Sequence, residues 1–453
     1  MPSRIAPERV AELFAIERER FADSHPVSRQ MHEEAAASML SGVPMNWMTR
    51  WPGDFPVFIS EAKGADIVCV DGHQYADLCL GDTGAMTGHS PPATTAAVQR
   101  QLDHGITTML PSEAGTRASR ELARRFGVPL WQFTLTATDA NRFSIRLARQ
   151  ITGRHKILVH NWCYHGSVDE TFATLVDGEV KPRFGSIGPP VPVSETTRIA
   201  EVNDLEGLER ELANGDVACV LVEPALTNIG IVLPEPGYHD ELRRITREHD
   251  VLLIIDETHT FCCGPGGYTG AHGLEPDLVT IGKPIAGGVP AGAYGMSDAV
   301  AERVLEQTIW DAADVGGIGG TLAGNLLSLT AIATTLEEVL TDEAFNRMIE
   351  LGERFENGVA DVIREFDLPW TVTRLGCRAE YMFSPTPPRN GSEAAAAFDH
   401  DLDALLHLYM LNRGVLMTPF HMMALMSPAT TASHVDRHTE ALAEAAADLT
   451  AGS

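Results

Sequence analysis

The chain has 453 residues and carries 34 Lys and Arg against 62 Asp and Glu, a formal net charge of −28. This acidic balance argues against nucleic acid and anionic membrane surfaces as partners, because both are negatively charged. The length exceeds the roughly 250–300 residues at which a single core stops growing, so two domains are expected. With 44% hydrophobic residues and 40 glycines, the composition is typical of an α/β enzyme rather than of a disordered or fibrous protein.

Targeting signals are not evident in the sequence. The first 21 residues, "MPSRIAPERVAELFAIERERF", lack the apolar core of a signal peptide, and no run approaches the roughly 20 apolar residues that span a bilayer. The seven cysteines form no CxxC pair, which favours free thiols in a reducing compartment. We therefore expect a cytoplasmic protein with no membrane partner.

The N-terminal region, residues 1–75, is expected to contribute an arm and a hairpin to a smaller domain. Residues 6–40 show helical spacing of apolar side chains among charges. An irregular loop rich in Pro, Gly and Trp follows. Residues 56–78 then alternate apolar and polar residues around a "DGHQ" turn, which predicts two antiparallel strands.

Residues 76–327 show strand-like apolar runs that alternate with helical patterns. The runs are "WQFTLT", "HKILVH", "VACVLVE", "VLLIID" and "LVTIG", and "ANRFSIRLARQIT" is one of the helices. Such alternation predicts a large α/β domain with a mainly parallel, doubly wound sheet. Residues 328–453, where helices surround a few strands, are expected to form the smaller α+β domain.

Three chemically active side chains follow apolar runs of the predicted sheet. Glu223, Asp256 and Lys283 each stand just after a strand, where the crevice of a doubly wound sheet opens. One interpretation is a buried ion pair of a carboxylate with the lysine. The other is a lysine that forms an imine, with a carboxylate that keeps a heterocyclic nitrogen protonated so that the ring acts as an electron sink.

A candidate phosphate site lies between "WQFTLT" and the helix that follows it. Thr136, Ala137 and Thr138 are small residues at this junction, where backbone N–H groups and the helix dipole face an anion. The alternative is that Thr138 or Asp139 is an ordinary helix N-cap.

A third candidate segment is "HNWCYHGSVDE", which follows the strand "HKILVH". Tyr164 is placed to stack on a planar cofactor, or it is a half-buried loop aromatic, the more common case. His160, Cys163 and His165 suggest a metal site, but their spacing is not a standard zinc pattern. No metal is expected.

Six segments, taken in order, resemble one family. They are "TLTATDAN", "CYHGSVDE", "LVEPALTNIG", "IIDETHT", "TIGKPIAGG" and "GGTLAGN". In this order and spacing the chain resembles the class III aminotransferases, which are fold-type I enzymes that use pyridoxal 5'-phosphate, and in particular the branch that contains glutamate-1-semialdehyde aminomutase. The resemblance covers nearly the whole chain.

The resemblance implies a role for each matching residue. Lys283 would form the internal aldimine and shuttle the proton, and Asp256 would pair with the pyridine nitrogen. Thr321 would reach the phosphate bound by a neighbouring subunit, so a homodimer with shared active sites is implied. The remaining implied cofactor contacts are Thr136, Ala137 and Thr138 around the phosphate, Tyr164 stacked on the ring, Thr258 packed behind it, and Glu223 and Asn228 lining the site.

Several positions depart from the family pattern. Ala137 stands where glycine is usual, Pro284 follows the lysine where a small residue is usual, and Thr258 replaces a valine. The segment "THTFCCGPGGYT" also differs from the common pattern. These departures concern cofactor packing more than the reaction, and they indicate a divergent branch.

The leading functional hypothesis is an aminotransferase that moves an amino group from an amine or amino acid to a ketone, aldehyde or keto acid. The alternative is an intramolecular amino transfer like that of glutamate-1-semialdehyde 2,1-aminomutase. A cofactor-free lysine aldolase or decarboxylase belongs to another class and would be colourless when purified. A non-catalytic binding protein is the last option, and the intact Lys283 and Asp256 argue against it.

The substrate side of the site is expected to be apolar. Phe420 and His421 follow the proline where β-amino-acid transaminases of this branch carry a carboxylate-binding arginine. Arg50, beside Trp47 and Trp51, is the candidate replacement, or else an ordinary surface arginine packed on tryptophan. With Met417, Met422 and Met423 nearby, we predict that amines and aryl or alkyl β-amino acids are better substrates than dicarboxylic amino acids.

Overall fold

The structure is a computed structural model that describes residues 5–451. Its strands are β1 Ile59–Lys63, β2 Asp66–Cys69, β3 Gln74–Asp77, β4 Leu130–Thr134, β5 Lys156–His160, β6 Ala173–Val176, β7 Glu179–Pro182, β8 Thr197–Ala200, β9 Val217–Val222, β10 Leu252–Asp256, β11 Leu278–Ile281, β12 Gly292–Met296, β13 Thr371–Leu375, β14 Arg378–Met382, β15 Val415–Leu416 and β16 Met423–Leu425. Its α-helices are α1 Pro7–Ser24, α2 Pro26–Ala35, α3 Pro92–Leu102, α4 Glu113–Phe126, α5 Ala137–Thr152, α6 Leu205–Leu212, α7 Tyr238–Glu248, α8 Gly267–His272, α9 Asp298–Gln307, α10 Leu326–Thr334, α11 Asp342–Glu365, α12 Gly391–Ala396, α13 His400–Leu411 and α14 Ala432–Thr450.

Two compact units make up the chain. The larger unit comprises residues 92–345 and 388–396, and the smaller unit comprises residues up to 91, 346–387 and those from 397 onward. The predicted domain boundaries, after residues 75 and 327, stay predictions. In the structure, the corresponding boundaries between the units lie further along the chain, after residues 91 and 345. The reason is that β3 pairs with β2 in the smaller unit, and α10 packs on α3 and α4 in the larger one.

The larger unit is built on a seven-stranded sheet with the order β4-β12-β11-β10-β9-β5-β8. The strands β8, β5, β9, β10 and β11 run parallel, and β12 is antiparallel to both of its neighbours. Every residue of β9, β10 and β11 is buried, which explains their continuous apolar runs. The predicted α/β class with a mainly parallel sheet is confirmed.

The first turn of helix α5 contains the candidate phosphate site. Thr136 is its N-cap, and Gly153, with φ 69°, ends it in the left-handed conformation that glycine adopts without strain. The apolar face predicted from the 3.6-residue period is buried. Since α5 packs on β11 and β12, its N-terminus is fixed at the edge of the sheet that carries Lys283.

The smaller unit contains two sheets, β1-β2-β3-β15 and β13-β14-β16. The region predicted as a hairpin is a three-stranded meander: the turn at "DGHQ" joins β2 to β3, and a second turn at Gly64 joins β1 to β2. Gly64 has φ 62°, which glycine adopts without strain. A single glycine does not by itself predict a turn, so this turn was not expected from sequence. Within residues 5–451, no helix is both long enough and apolar enough to cross a membrane.

Candidate active site

Three strand ends bring the predicted functional groups to one edge of the large sheet. Asp256 is the last residue of β10, Glu223 follows β9 directly, and Lys283 follows β11 after one glycine. Because these strands are adjacent and parallel, their carboxyl ends lie together. Lys283 opens a short 3₁₀ turn and has φ 37°, a strained backbone of the kind that concentrates at functional sites.

Asp256 is buried and surrounded by hydrogen-bond donors. Its Oδ2 accepts from Asn141 Nδ2 at 2.8 Å and from His165 Nδ1 at 2.9 Å, and its Oδ1 accepts from the Thr258 N–H at 3.0 Å. Burial opposes ionisation, but the hydrogen bond and charge of His165, with those of Thr258 and Asn141, outweigh it and lower the pKa of Asp256. The site therefore holds a buried carboxylate anion, which suits a cationic heterocyclic nitrogen.

His165 is the ionic partner of that carboxylate. Its side chain is fully buried, and although burial favours the neutral ring, the neighbouring Cys163 and Asp256 raise the pKa of the imidazole. His160, the other histidine of the alternative metal site, bonds through Nε2 to the Tyr238 hydroxyl at 2.7 Å. Among residues 5–451, no group of three or more His, Cys, Asp or Glu side chains is arranged to hold a metal ion.

The N-terminus of α5 forms a small anion-binding cradle. The hydroxyl of Thr136 accepts a hydrogen bond from the Asp139 N–H at 3.2 Å, so Thr136 is the N-cap, and the interpretation of Thr138 or Asp139 as the cap is corrected. The N–H groups of Ala137 and Thr138 belong to the first turn, which has no intrahelical acceptors for them. The Thr138 hydroxyl accepts from the Ser167 N–H at 3.0 Å, which ties the Tyr164 loop to the cradle.

A glycine brings the lysine to this cradle. A Cβ at Gly282 would lie 2.8 Å from both the backbone nitrogen and the Cβ of Ala137, so only glycine allows such close approach. Lys283 therefore leaves β11 directly beside the first turn of α5. A buried anion, a lysine amine and a helix N-terminus at one sheet edge fit pyridoxal phosphate, which carries a ring nitrogen, an aldehyde and a phosphate.

Lys283 contacts a residue that the sequence did not single out. Its Nζ lies 2.8 Å from Nε2 of His259. Both side chains are half-buried. His259 lies in the segment "DETHT". The departure of this region from the family pattern is the sequence feature that could have indicated His259.

The remaining predicted cofactor contacts lie on neighbouring loops. Tyr164 is half-buried, and its N–H donates to Oε1 of Glu223 at 3.3 Å. Glu223 is buried, and burial raises its pKa despite the nearby His165. Asn228 donates from Nδ2 to the Trp162 carbonyl at 3.0 Å. This bond also holds the loop that carries Tyr164.

Thr258 lies two residues after Asp256, the last residue of β10. Its side chain is buried, and its Oγ1 is among the buried polar atoms with no hydrogen-bond partner. A hydroxyl in the usual place of a valine methyl is therefore buried at a desolvation cost. The structure gives no partner that explains the substitution.

The other predicted contacts are Thr321, Arg50, Trp47 and His421. Thr321 is exposed, in a glycine-rich stretch of the larger unit. Arg50, Trp47 and His421 belong to the smaller unit. Arg50 is exposed, the Trp47 ring packs edge-on against Phe420 with centroids 5.4 Å apart, and His421 is buried with its Nδ1 3.0 Å from Oε1 of Glu380.

Sequence analysis did not assign two further residues of the site, Asn141 and His165, to the roles that the structure gives them. Asn141 joins Asp256 to β11, because its Oδ1 accepts from the Thr280 hydroxyl at 2.6 Å while its Nδ2 donates to the carboxylate. His165 was considered only as a metal ligand. The signal for Asn141 is a polar residue within the apolar face of α5, where a buried amide needs a specific partner.

The fold and this site define an enzyme of the pyridoxal-phosphate-dependent, fold-type I class. Within that class, the chain belongs to the family "aminotransferase class-III", whose model matches residues 47–446. The resemblance stated from sequence motifs is thereby confirmed, and so is pyridoxal phosphate as the cofactor.

Solved and curated relatives give the family assignment more detail. The chain is 34% identical over 370 residues to glutamate-1-semialdehyde 2,1-aminomutase 2 of Halalkalibacterium halodurans, a match that covers 80% of this chain and 84% of the relative. It superimposes with a TM-score of 0.95 on the crystal structure of a glutamate-1-semialdehyde aminomutase from Pseudomonas aeruginosa PAO1, at 49% identity, over 98% of this chain and 99% of that one. A lysine-to-alanine variant of the same Pseudomonas protein was solved in complex with PMP, and it matches equally well. These relatives favour the alternative function, the aminomutase, over the leading hypothesis of a transaminase.

Proposed function

We propose that this protein is an intramolecular amino transferase that moves an amino group between adjacent carbons of an amino-aldehyde. The observation that carries the proposal is the likeness to the Pseudomonas aminomutase at 49% identity and a TM-score of 0.95. For glutamate-1-semialdehyde, transfer of the 2-amino group to C1 gives 5-amino-4-oxopentanoate. The transaminase is the second candidate, supported by the family match.

Each residue of the site has a task in either reaction. Pyridoxal phosphate, when bound, supplies an electron sink for the charge that develops at the substrate carbon. Asp256 would keep the ring nitrogen protonated, and the N–H groups of Ala137 and Thr138 would hold the phosphate. Lys283 would hold the cofactor through its amine, and its Nζ would take a proton from one substrate carbon and return it to another.

Substrate recognition involves an arginine in the N-terminal region. We infer that exposed Arg50 is the candidate partner of a substrate carboxylate, with Trp47 beside it in sequence. His421 is buried and its Nδ1 is held by Glu380, which makes it a weaker candidate than Arg50 for contact with a substrate. The nearby Met417, Met422 and Met423 are all buried, which leaves Phe420 as the half-buried apolar group of that segment.

A dimer with shared sites is also part of the proposal. Several large apolar side chains of the larger unit are exposed, among them Met109 at 73%, Ile309 at 80% and Val315 at 89%. Thr321 lies in the same stretch as the last two. Large apolar side chains this exposed favour an interface between subunits, and size measurement in solution tests it.

The experiment is to incubate the purified protein with glutamate-1-semialdehyde alone and to follow the product. An aminomutase converts it to 5-amino-4-oxopentanoate with no second substrate. A transaminase leaves it largely unchanged unless a separate donor and acceptor are supplied, and it then transfers ¹⁵N from the labelled donor.

A panel of amines, β-amino acids and dicarboxylic amino acids completes the test. Loss of activity in Arg50→Ala toward carboxylated substrates alone would support its assigned role. An unaltered profile would remove Arg50 from the site. A protein that is colourless after incubation with pyridoxal phosphate and removal of the unbound cofactor, and inert with every substrate, contradicts the proposal as a whole.

A further inference from the structure

The contact between Lys283 and His259 joins two residues whose backbones are held independently. Lys283 is positioned by Gly282 against α5, and its own φ of 37° sets the direction of its side chain. His259 precedes Lys283 by 24 residues and lies just beyond the end of β10. Their nitrogens meet at 2.8 Å, which is a normal hydrogen-bond distance.

The segment that carries His259 is locked by a buried glutamate. Glu257 accepts from the Thr260 hydroxyl at 2.6 Å, from the Tyr268 N–H at 3.0 Å and from the Thr269 N–H at 2.5 Å. Its own N–H donates to the Thr280 carbonyl of β11 at 2.8 Å. Because these bonds fix the residues on both sides of His259, its imidazole is presented to the lysine by the fold.

The chemistry of the two groups is complementary. A lysine ammonium has three donors and no acceptor, whereas a neutral imidazole offers one nitrogen lone pair. The lysine must lose a proton before its nitrogen can bond to carbon. A histidine nitrogen in contact with that amine is a suitable acceptor of the proton.

We propose that His259 is the proton acceptor that activates Lys283, an inference that rests on the proposed pyridoxal-phosphate chemistry. His259 Nε2 would take one proton from the lysine ammonium, and the freed lone pair would bond to the aldehyde carbon of the cofactor. The aldehyde oxygen would take a second proton from the lysine nitrogen and the first one back from His259, and it would leave as water. The nitrogen keeps its third proton, and the histidine ends the step unchanged. The same contact holds the amine whenever a substrate has displaced it from the cofactor.

The test compares His259→Leu, which removes both the base and the hydrogen bond, with His259→Gln, whose amide oxygen can accept a hydrogen bond from the amine but does not take a proton. His272→Leu is the matched control, because His272 is an exposed histidine stacked on Tyr268 in the same unit. Two rates are measured: attachment of pyridoxal phosphate to the cofactor-free protein, followed by absorbance, and the single-turnover half-reaction with an amine. The affinity for pyridoxamine phosphate, which forms no bond to the lysine, reports whether the site is intact.

We expect His259→Leu to slow both rates about a hundredfold, the lower end of what a positioned proton acceptor contributes. His259→Gln should remain nearly as slow, because an amide takes no proton, and pyridoxamine phosphate should bind all variants equally; recovery of most of the rate in His259→Gln would overturn the proton transfer. Rates within twofold of wild type in His259→Leu would overturn the inference, as would a parallel loss of pyridoxamine phosphate affinity. If the wild-type protein itself fails to attach pyridoxal phosphate, the proposed function fails and the inference with it.

Discussion

Asp256→Asn separates the structural role of the buried carboxylate from its chemical role. In the wild type, one carboxylate oxygen serves the Thr258 N–H and the other serves the donors of Asn141 and His165. An amide has one oxygen and one NH₂ group. In either orientation, the NH₂ group of the new side chain faces at least one buried donor.

The less costly orientation turns the NH₂ group toward the Thr258 N–H. One hydrogen bond is then lost and one buried donor is left unsatisfied, which costs about 1–3 kcal/mol. At about 2–4 °C per kcal/mol for a unit of this size, the melting temperature should fall by several degrees. Activity should fall much further, by roughly 10³-fold, because a neutral partner does not keep the ring nitrogen protonated.

The assay combines scanning calorimetry of the cofactor-free protein with steady-state rates of the loaded one. Asp277→Asn is the matched control: its carboxylate accepts two hydrogen bonds from Arg243 and one from the Leu253 N–H, at the opposite edge of the sheet. This control should lose comparable stability but keep its activity and visible spectrum. A rate for Asp256→Asn within tenfold of wild type would refute the chemical role.

The pH dependence of this stability difference follows from the sign of the pKa shift. The pKa of Asp256 is lowered from its ordinary value of 3.8, so its ionised form stabilises the fold above that pH. The stabilisation is lost as the pH falls through the lower, folded pKa. On the acid side, the difference in melting temperature between wild type and Asp256→Asn should therefore shrink below about pH 4.

Three further variants test the cradle, the lysine and the subunit interface. Lys283→Ala should abolish turnover yet still bind the cofactor reversibly, and mass spectrometry after borohydride treatment should find no cofactor adduct; an adduct elsewhere would contradict the assignment. Gly282→Ala should weaken binding of pyridoxal phosphate at least tenfold, since the new methyl group lies against Ala137, and an unchanged dissociation constant would show that the cradle is not in contact with phosphate. Thr321→Ala should weaken cofactor retention, and mixing it with Lys283→Ala chains should recover part of the activity if sites are shared between subunits, whereas no recovery would argue for independent sites.

The strand ends of the site were predictable from sequence because buried parallel strands read as continuous apolar runs. Glu223, Asp256 and Lys283 stand out as the first polar residues after such runs, and the topology then brings them together. The cradle was predictable for a similar reason, since a strand, small residues and a helix in succession define an N-terminus. Its cap was not, because Thr136 and Thr138 are equivalent until the exact first residue of the helix is known.

The supporting residues were not predictable, because each depends on a contact between distant segments. Asn141 and His165 acquire their roles only from the position of Asp256. Strand β12 was missed because "GAYGM" has too little apolar pattern, and its glycines are explained only by packing. A Cβ at Gly295 would overlap the Trp131 ring, and one at Gly292 would overlap the Thr136 carbonyl.

The antiparallel strand β12 has a consequence for the order in which the protein assembles. It pairs residue by residue with β4, from Gly292 opposite Thr134 to Met296 opposite Leu130, and so anchors the strand that leads into the phosphate cradle. During synthesis, β4 leaves the ribosome long before β12, its only neighbour in the seven-stranded sheet. It therefore has no partner strand in this sheet until β12 has been made. Contacts of such long sequence separation form slowly, and a growing chain exposes the apolar edge meanwhile. Cofactor capture is therefore a late event, which follows synthesis of the whole larger unit.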